Sequence, residues 1–102
     1  MPDNLTDEET ELSLSAQEAH NLIELCNTNG WKLLRERYFD VRLRKCKDYL
    51  YNIQNTDPVM IRAMVLMVDF IETMMDEITM QVKIGLEDEE ELIKRKEKKK
   101  KK

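Results

Sequence analysis

PVMIRAMVLMVDFIETMMDEITMQVKI, residues 58–84, decides the fold. In it Ile61, Met64, Val68, Ile71, Met75, Ile78 and Val82 recur at 3-4-3-4-3-4 spacing, the repeat of a coiled-coil seam. A second apolar stripe, Met60, Ala63, Met67, Phe70 and Met74, lies beside the first on a helical wheel. Only a narrow strip centred on Arg62, Asp69, Asp76 and Lys83 is polar. One partner helix covers one seam, so a helix with two requires more cover than a simple hairpin supplies. Just upstream, Asn55-Thr56-Asp57-Pro58 breaks one helix and opens the next. Asp57 is placed to cap free amides, and Pro58 suits the first helical position, where its missing N–H costs nothing. Gly85 is the expected stop.

The stretch before this break predicts a helix over residues 31–54 with two overlapping stripes. Trp31, Leu34, Tyr38 and Val41 form one; Phe39, Leu43, Cys46, Leu50 and Ile53 form the other. Further upstream, Ser15-Ala16-Gln17-Glu18 fits a capping box, in which hydroxyl and carboxylate satisfy each other's backbone amides. Ala19, Leu22, Ile23 and Cys26 follow on one face of a short helix over 15–27, and Asn29-Gly30 supplies a left-handed stop. The short connection at residues 55–57 makes the two long helices antiparallel neighbours. The expected fold is all-α: a short N-terminal helix plus a long antiparallel helical hairpin with coiled-coil-like packing. Its expected parts are a mobile acidic N-terminus (1–14), a helical hairpin domain (15–85) and an acidic, then Lys-rich, C-terminal tail (86–102).

Charge is segregated along the 102 residues, so the formal net charge of −4 says little. Residues 1–20 carry six acids and no Lys or Arg. Residues 31–50 carry seven bases against three acids, 57–93 ten acids against two bases, and 94–102 eight bases against Glu97 alone. The acidic start is not a signal peptide. The longest apolar run, Ala63 to Val68, is far short of the ~20 residues needed to span a bilayer, and no membrane partner is expected. Cys26 and Cys46 lack metal-ligand spacing and read as small apolar fillers in a reducing compartment. The expected location is cytoplasmic.

Little catalytic chemistry can be assembled from a single His, two Cys and no Gly-rich loop. His20 has no second His nearby, and zinc needs three or four converging ligands. Asp69, Glu72, Asp76 and Glu77 share helical spacing but lack the Glu-x-x-His motif of di-metal bundles. They read as a solvated or ion-paired face. No cofactor, metal or catalytic residue is expected, and the chain is read as non-enzymatic. Arg35 and Arg42 fall near the apolar face of their helix, where a buried charge needs a partner. A hairpin turning at residues 55–56 brings them level with Asp76 and Asp69, as ion pairs within or between chains. The tail residues Lys94, Arg95, Lys96, Lys98, Lys99, Lys100, Lys101 and Lys102 are a candidate nucleic-acid contact that works by counterion release.

The order of a capped short helix, Asn29-Gly30-Trp31-x-x-Leu34, a long amphipathic helix, and Thr56-Asp57-Pro58 opening a second one resembles small helical-hairpin proteins encoded by tailed bacteriophages. The likeness covers residues 15–80. It implies a phage-encoded protein acting in the particle or its assembly, with other virion proteins as partners. The residues themselves imply self-association. The expected oligomer interface comprises Met60, Ile61, Met64, Met67, Val68, Phe70, Ile71, Met74, Met75, Ile78 and Val82. Two alternatives stand beside it: a nucleic-acid-associated accessory protein using the Lys-rich tail, and a small helical regulator whose Met-rich face binds one host protein.

Overall fold

The computed structural model describes residues 5–100, about nine-tenths of them helical, with no strand among the described residues. Helix α1 spans Asp7–Cys26, α2 Asn29–Leu34, α3 Asp40–Tyr51 and α4 Pro58–Lys100. A π-helical turn, Arg35–Phe39, joins α2 to α3 without a break. The chain forms two compact units that share α4. One joins α1 to α4 from Ile78 onward, and the other runs from Cys26 to Glu77. This division differs from the single 15–85 domain expected from the sequence.

In the first unit, α1 begins at Asp7 rather than Ser15. The operative capping box is Thr6-Asp7-Glu8-Glu9. The Glu9 amide donates to Thr6 Oγ1 at 3.0 Å, and the Thr6 amide donates to Glu9 Oε1 at 3.3 Å. Asp7, Glu8 and Glu9 put three acids in the first turn, where the exposed N–H groups favour negative charge. Ser15 instead lies mid-helix, and residues 7–14 belong to α1 rather than to an irregular leader.

The same helix supplies the reason that α4 continues to Lys100 through a stretch expected to be a solvated tail. Glu8 pairs with Arg95 and Glu9 with Lys99, neutralising part of a lysine run whose i,i+4 repulsion would otherwise weaken the helix. Glu8 and Glu9 at the start of α1 meet Arg95 and Lys99 late on α4, and His20 near its end meets Glu89 earlier on α4, so the two run antiparallel. Gly85 does not end α4. It faces α1 so closely that a Cβ there would lie 2.5 Å from the Ser15 carbonyl oxygen and would strike Ala19 Cβ. Ala16 and Ala19 are buried on the α1 side of this contact. Small side chains let the backbones approach.

In the second unit, the Thr28 hydroxyl caps α2 by accepting from the Trp31 amide at 3.1 Å. Asn29 and Gly30 are therefore the first turn of α2, not a left-handed stop, and no described residue has a positive φ. The π turn resolves the two overlapping stripes. One extra residue in the turn carries Phe39 toward the Trp31 side, with ring centroids 6.2 Å apart, while Leu34 and Tyr38 face solvent. Beyond the turn, Phe39, Val41, Leu43, Cys46 and Leu50 are buried or half-buried. Helix α3 stops at Tyr51, before the expected Gln54. Asn52 turns extended, its side chain accepts from the Gln54 amide, and Asn55 Nδ2 donates to the Tyr49 carbonyl. Asp57 caps α4 as its sequence position implies, accepting from the Val59 amide at 3.0 Å.

Candidate association surface

The seam read from the sequence is the covered side of α4. Ile61, Met64, Val68, Ile71, Met75, Ile78 and Val82 are all buried or half-buried, with Ile71 only 3% exposed. The same spacing runs on through Gly85, Glu89 and Leu92, of which Gly85 and Leu92 are buried. This continuation carried no apolar signal at two of its three positions. Glycine and a carboxylate end a hydrophobic stripe on paper, although one permits close approach and the other pairs with His20 Nε2 at 2.6 Å.

The second stripe behaves differently. Met60, Ala63, Met67 and Phe70 are exposed and only Met74 is half-buried. Phe70 is 64% exposed, as are Leu66 one turn before it at 58% and Val59 at the start of α4 at 73%. Leu66, Asp69, Phe70, Thr73, Met74 and Glu77 line a shallow groove on this face of α4. Thr73 Oγ1 donates to Asp69 Oδ1 at 3.4 Å along its edge. The groove has an apolar floor and carboxylate rims. Its polar groups are the Asp69 and Glu77 carboxylates and the Thr73 hydroxyl, and its apolar floor can bury another apolar surface.

Charged groups expected at the site are distributed otherwise. Arg35, Arg42, Asp69 and Asp76 are exposed, and among the described residues no ion pair joins these arginines to these aspartates. The desolvation that demanded a partner is absent, because the π turn shifts the apolar face of the helix. The ion pair between α3 and α4 is Lys47 Nζ to Glu72 Oε2 at 2.9 Å, and this hydrogen bond raises the lysine's pKa. The signal for it was only opposite charge.

In the first unit the tail residues Lys94, Arg95, Lys96, Lys98, Lys99 and Lys100 all lie on α4, whereas Lys101 and Lys102 fall outside the described residues. Arg95 Nη2 meets Glu8 at 2.7 Å and its Nε meets Glu91 at 3.1 Å; the bond to Glu8, then that to Glu91, pushes the guanidinium's pKa up. Lys99 Nζ lies 3.0 Å from both oxygens of Glu9. That bond first, and the Thr6 amide second, lowers the Glu9 carboxyl below its ordinary value.

Among the described residues no group of three or more His, Cys, Asp or Glu is placed to hold a metal ion, and no helix is long and apolar enough to cross a membrane. Cys26 and Cys46 are free thiols, half-buried and buried. Comparison with known proteins finds no matching family model, no similar curated protein and no similar solved structure.

Proposed function

We propose that this chain is a non-enzymatic, self-associating helical protein, a structural or assembly component whose copies join through the Phe70 face of α4. The observation that carries the reading is the exposed stripe Met60, Met67 and Phe70 with Val59 and Leu66 beside it. Contiguous apolar patches of several hundred Å² are uncommon on monomers. Burying such side chains is worth roughly 1.5–3 kcal/mol each when complete. Four or five of them offset much of the ~4–15 kcal/mol cost of association. A second copy is favoured over a foreign partner by charge. The carboxylates Asp69 and Glu77 rim the groove, while Arg35, Arg37, Arg42, Arg44 and Lys45 are exposed on the π turn and α3 of the same unit. The surface is complementary to itself.

Within each copy, α3 and the first half of α4 form the antiparallel, coiled-coil-like hairpin. The Lys47–Glu72 pair, the short connection at residues 52–57 and the burial of Cys46 and Ile71 support it. The resemblance of residues 15–80 to helical-hairpin proteins of tailed bacteriophages supports a place in a phage particle or its assembly. Sedimentation of the full chain at micromolar concentration tests the association. An oligomer is expected, with Phe70→Glu monomeric and fully helical and Arg62→Ala still associated. A monomeric parent chain overturns the proposal.

A further inference from the structure

The charged end of the first unit holds a different surface. From Lys94 to Lys100, α4 carries six cations and one acid, Glu97. They fall in three rows. Arg95 and Lys99 face α1 and are occupied by Glu8 and Glu9. Lys94 with Lys98, and Lys96 with Lys100, form i,i+4 rows on the two flanks, and among the described residues none of these four makes an ion pair.

We propose that this end of α4 binds the phosphate backbone of a nucleic acid, and that Glu8 and Glu9 compete with the phosphates for Arg95 and Lys99. A phosphate polymer carries one charge per roughly 1.7 Å of duplex axis, dense enough to serve cations on both flanks of one helix. A rigid acidic protein face reaches one row. Counterion release drives such binding without reading sequence. Nothing here supplies base recognition: the three rows hold no aromatic or amide side chain.

The competition follows from the dual role of Glu9. Its carboxylate accepts from the Thr6 amide in the capping box and also from Lys99. A phosphate that takes Lys99 therefore leaves the buried Glu9 carboxylate, only 2% exposed, without its cation. Nucleic-acid binding and the first turn of α1 are thus linked in opposition. This surface lies in a different unit from the Phe70 face and does not depend on self-association.

The test is retention of a mixed-sequence 20-base-pair duplex by the full chain across a salt series. The parent chain is expected to bind at low salt, without sequence preference and with a steep salt dependence. Glu8→Gln frees Arg95 from one carboxylate that makes no capping bond. It should bind roughly 2- to 5-fold tighter, with a salt slope steeper by up to ~0.9. Adding Glu9→Gln should raise both changes further, with far-UV circular dichroism showing whether α1 survives. Replacing Lys94, Lys96, Lys98 and Lys100 together by Gln should abolish retention. No retention by the parent chain overturns nucleic-acid binding. Equal affinity of the parent chain and Glu8→Gln overturns the competition. Displacement of the duplex by an equal charge of polyglutamate shows that a carboxylate polymer serves as well, and overturns the assignment to phosphate.

Discussion

The two units solve the problem of covering α4 by opposite means. Where α4 meets α1, the contact is made of Ala16, Ala19, Ser15 and Gly85, so backbones approach closely, and the large side chains left exposed, such as Leu14, Met80 and Ile93, lie outside it. Charged pairs flank it: Glu8–Arg95, Glu9–Lys99 and His20–Glu89. Where α4 belongs with α2 and α3, the residues are large, and one apolar stripe is buried while another faces water. The lesson concerns economy of side chain. A seam of small residues closes on a single partner, whereas a helix built of Met, Leu and Phe on two faces has apolar surface left for a second one. The first unit is held by close approach and charge. The second is left open by excess.

The same substitution at the two glycines gives the largest contrast. At Gly85, alanine gains about 1 kcal/mol of helix propensity. Its Cβ would meet a backbone carbonyl of α1, which cannot swing aside as a side chain does. Overpacking costs about 1–3 kcal/mol, and against backbone at this distance the upper end, about 2–3, applies, so Gly85→Ala should be destabilising by about 1–2 kcal/mol net. At Gly30 nothing lies within 4 Å and the φ is not positive, so Gly30→Ala should stabilise by about 0.5–1 kcal/mol. Urea denaturation of both variants reads the two signs. Like signs would mean that α1 and α4 are not in close contact at Gly85.

The difference between the glycines also shows what could be read in the residues alone. The all-helical class, the Asp57–Pro58 start of α4 and the 3-4 seam from Ile61 to Val82 followed from period and capping chemistry, which are local. What did not follow was non-local. Thr6-Asp7-Glu8-Glu9 has the same capping pattern as Ser15-Ala16-Gln17-Glu18, and the earlier one prevails because Glu8 and Glu9 have cations to meet far along the chain. Gly85 reads as a stop until a facing Ser15 gives it a reason to be small. The π turn, which decides that Phe39 rather than Tyr38 is covered, has no periodicity that announces it. The open stripe through Phe70 was legible as surplus, while the pairing of Arg42 with Asp69 rested on axial level, against a helical wheel that puts Asp69 on the polar strip of α4.

Acid sharpens the comparison at a single carboxylate. Glu9 has its pKa lowered by Lys99 and the Thr6 amide. A depressed folded-state pKa means that its contribution is present above the unfolded value and lost as pH falls through the folded one. The start of α1 should therefore be fully formed at neutral pH and loosen as pH drops through and below about 4. The protection factors of the Glu9 and Thr10 amides, which take out the intrinsic slowing of exchange in acid, should fall over that window in the parent chain. In Glu9→Gln, whose side chain still accepts but does not ionise, they should stay level over that window, while protection at Cys46 in the second unit persists in both. A fall in the variant like the parent's would remove Glu9 from this role.

The smallest effect expected is at Lys47 and Glu72, and its size is informative because a stronger pair was the reasonable expectation nearby. Both side chains remain substantially exposed, at 38% and 47%. Water and salt therefore screen their attraction, and holding two long side chains together costs rotamer freedom. Lys47→Ala should lower the urea midpoint slightly at low salt, and the deficit should vanish near 1 M salt, where the screening length is about 3 Å. Arg42→Ala, with no ion pair among the described residues, should leave the midpoint of the monomeric Phe70→Glu background unchanged at either salt. Under the proposed association the same exposed arginine is available to a carboxylate of a second copy, so its loss should be felt in the associated parent chain and only there. A midpoint shift from Arg42→Ala in the monomeric background would mean that the arginine is paired inside the chain after all. The contrast between an open, self-complementary unit and one held by close approach would then have to be redrawn with Asp69 on the covered side.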